Sequence, residues 1–179
     1  MNDSKYGRLL RMFMALAVFI LLVAVDQFTK RLIMLNIPLT GDISVIDGVF
    51  KIVFVKNTGA AWGIFKDSTL ALSVFSCLVL AAVVFFFFRL RWSIKKHRPL
   101  MIICILISAG AVGNLIDRLY LHYVVDFLYF ELINFPVFNI ADCYITLPMI
   151  VLAFMFLFYY KEEDFDGIWR SKKGDPDNG

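Results

Sequence analysis

Four stretches of the chain are apolar for long enough to cross a bilayer as helices, which takes about 20 residues. The first runs from Met12 to about Leu35, with polar residues entering its second half. The second, Leu70 to Phe88, is 19 residues without a charge. The third, Leu100 to Ile116, is 17 uncharged residues closed by Asp117 and Arg118. The fourth, Cys143 to Tyr160, is uncharged and contains Pro148, where a kink is expected and where a membrane helix tolerates one. Between the first two spans the period changes. Ile43 to Lys56 alternates around Asp47-Gly48, a hairpin turn signal, with Phe50, Ile52 and Phe54 on one face of the second strand. Between the last two spans, Leu121 to Phe138 is dense in rings (His122, Tyr123, Phe127, Tyr129, Phe130, Phe135, Phe138) and is expected to lie against the membrane surface. The pattern predicts a mainly α membrane protein: four transmembrane helices, a small extracytoplasmic β-hairpin or sheet, and an outer loop between helices 3 and 4. It reads as one membrane-embedded domain over 1–179, with spans at about 12–35, 70–88, 100–118 and 142–160 and a frayed cytoplasmic tail at 161–179.

Composition agrees. Hydrophobic residues make up 60% of the 179 residues, against about 45–50% in a soluble domain, and the mean hydropathy is +0.76. Disordered and disulfide-stapled classes are excluded, and a soluble domain would expose large apolar patches. Cys77, Cys104 and Cys143 form no Cys-x-x-Cys pair and read as small hydrophobes. The net charge of +3 is not gathered into a basic stripe, so no nucleic-acid partner is expected.

The distribution of Lys and Arg orients the spans. Twelve of the 18 fall in the N-terminal segment, the Arg89–Arg98 loop and the C-terminal tail, which share one side of a four-helix topology. Six fall on the other. Both termini are therefore expected in the cytoplasm. Lys5, Arg8 and Arg11 before an apolar core suit a signal peptide, but no small-x-small cleavage site follows, so the first span reads as a retained helix.

Ionisable groups in hydrocarbon cost about 2.5–3.5 kcal/mol each on insertion scales. Here nearly all polar span residues collect at the outer helix ends, which places a site near the outer leaflet. Asp26 lies about 21 Å along the first helix from Met12, with Lys30 at i+4 on the same face. Gly110, Asn114 and Asp117 stand at i, i+4 and i+7 on the third, with Arg118 adjacent. Each group has a plain structural explanation: an interfacial ion pair, a small-residue packing face, a turn at Asn57, a capping box from Asn139 to Asp142. Asp126 is harder to explain structurally, because it interrupts the apolar run Val124-Val-Asp-Phe-Leu128, where burial raises a carboxyl pKa. Asp126 and Asp142 bracket one short outer loop, and both ends of it are anchored at the same membrane face. Paired at close range, two carboxyls share a proton, so that one activates water while the other donates to a carbonyl oxygen, the chemistry of an aspartic protease. His97 falls in the cytoplasmic loop, and no zinc-protease His-Glu-x-x-His or Gly-x-Ser-x-Gly elbow is present. A Ser-Lys pair stays open, though no outer serine is placed as well as the two aspartates.

The ordered motifs Asp26-Gln-Phe-Thr-Lys30, Asn57-Thr-Gly-Ala-Ala-Trp62, Gly110-Ala-Val-Gly-Asn114-Leu-Ile-Asp117-Arg118, Val125-Asp126-Phe127 and Phe138-Asn-Ile-Ala-Asp142 resemble bacterial lipoprotein signal peptidases, the signal peptidase II family. The resemblance spans roughly Asp26 to Pro148. It implies a four-helix aspartic endopeptidase of the bacterial inner membrane that cleaves prolipoproteins before a diacylglyceryl-modified cysteine. It needs no metal or other cofactor and is inhibited by the cyclic peptide globomycin. It implies Asp126 and Asp142 as the catalytic pair. Asn57, Gly59, Asn114, Arg118 and Asn139 would line the pocket and orient substrate and dyad, supported by Asp26 and Lys30. The expected partners are the lipidated precursor and membrane lipid, with the chain acting as a monomer. Ala111 and His122 stand where glycine is common in the family, and Trp62 where phenylalanine is. Two readings compete. A small proton-coupled transporter subunit would use Asp26, Asp117, Asp126 and Asp142 as a relay. A non-enzymatic scaffold would use the same aspartates only as caps and ion pairs.

Overall fold

The computed structural model describes residues 5–59 and 69–165. Four helices, α1 (Lys5–Asn36), α2 (Thr69–Arg89), α3 (His97–Leu121) and α4 (Ile140–Phe158), are long and apolar enough to cross a membrane. They overrun the expected spans by one to seven residues at most ends, because polar flanks continue the helices beyond the apolar runs. Helix α4 is continuous through Pro148. Three strands, β1 (Asp42–Ile46), β2 (Phe50–Asn57) and β3 (Val124–Phe130), form an antiparallel sheet in the order β1-β2-β3. The β1–β2 hairpin turns where expected, with Gly48 at φ 70°. The segment between α3 and α4 is a further strand rather than a plain loop.

The four helices differ in their surroundings. The most apolar window of α3 is 61% buried against protein, while those of α1, α2 and α4 are 6%, 6% and 11% buried. Helix α3 is thus the central post, and the other three face outward with large apolar side chains, as lipid-facing helices do. Two glycines permit the closest packing on that post. A Cβ on Gly110 would collide with the Ala141 carbonyl oxygen at the start of α4, and one on Gly113 with the Asp26 carboxylate of α1.

The end of the bundle where α1 begins and α4 ends is closed by Leu90, Leu100, Met101, Cys104 and Tyr160. His97 does not lie in an open loop. It heads α3, fully buried, accepting from the Arg91 amide at Nδ1 and facing the Asp164 carbonyl oxygen with Nε2. The first residues after α4 dock rather than fray: Glu162–Phe165 form a short 3-10 turn, Asp164 pairs with Lys96 at 2.7 Å, and Phe165 packs on Phe156 and Tyr160.

At the other end, Ile37, Phe54, Val125 and Phe127 make a second cluster that seats the sheet on the C-terminal ends of α1 and α3. Ile52 joins it beside Phe54, whereas Phe50 packs its ring on Phe130 at 5.1 Å. Helix α3 ends at His122, whose φ of 64° is left-handed, and β3 starts two residues later. Glycine carries no steric penalty in that conformation, whereas a histidine does.

Candidate active site

Three local structures deliver the two aspartates. Asp126 sits inside β3, paired across the sheet with Val55, and a register shift between Ile52 and Val55 precedes that pair. The chain then turns back so that the Phe127 and Leu128 amides donate to the Phe138 carbonyl oxygen and the Phe138 amide donates to Leu128. That return places Asn139 beside Asp126. Asn139 is also the N-cap of α4, and the expected capping box is complete. Its Oδ1 accepts from the Asp142 amide at 3.0 Å, and Asp142 Oδ2 accepts from the Asn139 amide at 3.0 Å.

Asn139 and Asn114 bridge the two carboxylates. Asn139 Nδ2 donates to Asp126 Oδ1 at 2.7 Å and to Asn114 Oδ1 at 3.1 Å. Asn114 Nδ2 donates to Asp142 Oδ1 at 2.8 Å. On the far side, Asn57 Nδ2 donates to Asp126 Oδ2 at 2.7 Å. Asn57 is held in that orientation by the Gly59 amide, which donates to its Oδ1 at 2.9 Å. Burial, reinforced by the negative charge of Asp142, pushes the Asp126 carboxyl up to about 7, against the opposing hydrogen bonds from Asn57 and Asn139.

Behind the asparagines lies a buried ionic trio. Lys30 Nζ contacts Asp26 Oδ2 at 2.9 Å, Asp117 Oδ2 at 3.0 Å and Asn114 Oδ1 at 2.9 Å, which occupies all three of its protons. All three ionic side chains are at most 2% exposed. Each carboxylate of the trio also grips a backbone amide. Asp26 accepts from Ala141 at 3.0 Å, one residue before Asp142. Asp117 accepts from Val125 at 3.1 Å, one residue before Asp126. Gln27 ties the two sides together by donating to Asp117 Oδ1 and to the Gly113 carbonyl. The trio therefore joins the two chain segments that carry the aspartates.

These groups open into a cavity of about 780 Å³ between α2 and α4, floored by α3. Asn57, Gly59, Asn114, Arg118, Asp126 and Asp142 line its polar end. Leu72, Phe75, Ile107 and Ile145 line the wall toward the bilayer, and Phe50, Phe130 and Phe138 the wall under the sheet. Arg118 lies within electrostatic reach of both aspartates. No group of three or more metal-ligating side chains occurs among the described residues.

All nine residues singled out from the sequence thus meet in one place: seven by direct hydrogen bonds or ion pairs, Gly59 through Asn57, and Arg118 as a lining cation. Trp62 lies outside the described residues. Two further members lie outside that set. Asp117 stands on the polar stripe of the third helix, where a packing face and a functional site explain it about equally well from the sequence; its spacing of three from Asn114 is the available signal. Gln27 had none beyond its place in the motif.

Comparison with known proteins gives a consistent picture. The family model for signal peptidase (SPase) II matches residues 18–158. The lipoprotein signal peptidase of Streptococcus thermophilus is 36% identical over 143 residues, covering 80% of this chain and 90% of that one. That of Dehalococcoides mccartyi is 42% identical over 136 residues, covering 75% and 83%. A bacterial membrane enzyme solved by the in meso method at 2.3 Å superposes with a TM-score of 0.70 at 28% identity, covering 90% of this chain and 94% of that one. The chain belongs to the signal peptidase II family.

Proposed function

We propose that this peptidase of the bacterial inner membrane is an aspartic endopeptidase that removes signal peptides from diacylglyceryl-modified prolipoproteins, cutting before the lipidated cysteine. The observation that carries the reading is the bridged pair Asp126–Asp142 at the polar end of a cavity whose other walls are apolar. A lipid-bearing cysteine needs both: water at the scissile bond and hydrocarbon around the acyl chains. Membership in the family supports the substrate class.

Burial, which drives Asp126 up to about 7, supports it as the holder of the shared proton and leaves Asp142 as the base. Asp142 takes a proton from water as the water oxygen bonds to the scissile carbonyl carbon, and Asp126 protonates the carbonyl oxygen. The resulting tetrahedral diol collapses. Asp126 recovers a proton from one hydroxyl, Asp142 gives its proton to the departing nitrogen, and the C–N bond breaks. The products are a signal-peptide carboxyl and the free amine of the lipidated cysteine, and the dyad returns to its starting state. Asn57 and Asn139 orient Asp126, Asn114 orients Asp142, and Arg118 supplies a positive charge to the substrate backbone. Globomycin-type peptides would occupy the same cavity.

By the Lys and Arg bias both termini are cytoplasmic and the site faces outward. A reporter fused in the Arg89–Arg98 loop should read as cytoplasmic. The functional test is a gel-shift cleavage assay in detergent with lipidated and unmodified precursor. Asp126→Asn and Asp142→Asn should each reduce cleavage of the lipidated substrate by at least about a thousandfold. Activity surviving both substitutions would place catalysis elsewhere. Proton-driven flux in proteoliposomes without cleavage would favour the transporter reading.

A further inference from the structure

A second cavity, of about 570 Å³, lies between α1 and α2 on the opposite side of α2 from the dyad. Helices α1 and α2 both pack on α3 but make little contact with each other, and the gap between them opens sideways to the bilayer. Apart from Ser108 and Cys104 on its α3 floor, its lining is hydrocarbon and aromatic, with Phe13, Phe19, Val84 and Phe87 as its walls. We propose that this groove is a binding site for one anionic glycerophospholipid of the cytoplasmic leaflet.

Three observations select that occupant. The first is length. On α1 the lining runs from Leu9 to Phe19, about 15 Å at 1.5 Å per residue, which is half of a hydrocarbon core of about 30 Å. The groove therefore spans one leaflet, the reach of a single lipid tail. The second is polarity. A non-helical peptide would bring backbone amides to a wall that offers them almost no acceptor. An acyl chain brings none. The third is charge. At the end of the groove nearest the start of α1, Arg8 and Arg11 adjoin the lining residues Leu9 and Met12, and Arg89 and Arg91 follow the lining residue Phe88 at and just beyond the end of α2. No Asp or Glu occurs in residues 5–25 or 69–116. The mouth of the groove thus sits at headgroup depth with cations from both walls, the arrangement that recognises a lipid phosphate.

The assignment requires the N-terminal end of α1 to face the cytoplasm, as proposed above, but not the cleavage chemistry. Native mass spectrometry of the detergent-purified chain tests it, with dioleoylphosphatidylglycerol and dioleoylphosphatidylcholine titrated in parallel. The wild type should retain one phosphatidylglycerol at about tenfold lower lipid concentration than phosphatidylcholine. Arg11→Gln with Arg89→Gln should erase that preference. Ala15→Trp, which fills the groove, should abolish retention while leaving prolipoprotein cleavage intact; Val84→Phe is a second filler should the first misfold. Equal retention of the two lipids by the wild type, or undiminished phosphatidylglycerol retention by both filled variants, would overturn the site. Loss of cleavage by the wild type would bear on the peptidase reading and leave the lipid result standing.

Discussion

The two ends of this helical bundle are built on opposite principles. At the end where α2 turns into α3, Leu90, Leu100, Met101, Cys104 and Tyr160 pack against one another, and the polar groups present, His97 and Tyr160 among them, mostly bond to backbone. At the end that carries the sheet, Asp26, Lys30, Asn114, Asp117, Asp126 and Asn139 are all buried and hold one another through side chains. Hydrocarbon contacts are non-directional and tolerate small shifts. Charge-assisted hydrogen bonds fix distance and angle, but desolvating the ions costs several kcal/mol each. The comparison teaches a division of labour. The apolar end supplies stability, and the polar end spends some of it to hold two carboxyls in register.

Substitutions at the two ends should therefore separate stability from rate. The largest stability effect is expected at the apolar end. Leu100 is 1% exposed, and Leu100→Ala should destabilise the protein by about 2–5 kcal/mol, read as a lower melting temperature. The protein that remains folded should show an unchanged kcat. A fall in kcat at full folding would mean that the apolar packing sets the dyad geometry, and the division would fail.

Asp117→Asn should do the reverse. The variant keeps the shape and can still accept from the Val125 amide, but it weakens the link to Lys30. Because Asp117 holds the backbone beside Asp126, a small displacement of the dyad should lower kcat by roughly 10–100-fold with little change in KM. The corresponding barrier is about 1.4–2.8 kcal/mol. A change confined to KM would mean that the trio shapes substrate binding instead.

The pH profile sharpens the same contrast. In the proposed mechanism Asp126 is the acid and must be protonated, and its carboxyl is raised from 3.8 to about 7. The active form therefore dominates below that value, and kcat/KM should fall as pH rises through about 7. The Asn57 hydrogen bond stabilises the charged form and so opposes the rise. Asn57→Ala should move the alkaline limb to higher pH. An acid limb moved to higher pH with the alkaline limb unmoved would reverse the acid and base assignments.

How much of this was legible depends on which forces act locally. The four spans follow from hydrocarbon length and the β1–β2 hairpin from Asp47-Gly48. The Asn139–Asp142 capping box is a four-residue pattern and could be read directly. Asp126 stood out because no local rule explains a carboxylate in an apolar run. Strand β3 was not legible. Its aromatic density suits a membrane surface as well as a sheet, and its pairing with β2 spans some seventy residues of sequence. Asp117 could not be assigned to the site from sequence because its partners, Lys30 and the Val125 amide, lie on other elements. The docking of Glu162–Phe165 was hidden for the same reason: charged composition suggests a frayed end, and only tertiary contact with Lys96 and Phe156 holds it.

The smallest expected effect lies at the joint between a central helix and the sheet that carries Asp126. His122 occupies a left-handed conformation at φ 64°, which costs an L-residue about 1–2 kcal/mol relative to glycine. Glycine would lose more backbone entropy on folding, by roughly 0.5–1 kcal/mol. His122→Gly should therefore raise stability by about 0–1.5 kcal/mol, a rise of a few degrees at most in melting temperature. Its effect on rate is the informative part. The joint lies four residues before Asp126, yet the Val125 amide is pinned by Asp117 and the Asp126 carboxylate by Asn57 and Asn139. If that clamp alone sets the dyad, kcat should not change when the hinge is freed. A drop in kcat with the melting temperature unchanged or raised would show that the stiffness of the α3–β3 joint contributes to positioning, and that the polar end does not hold its geometry through side chains alone.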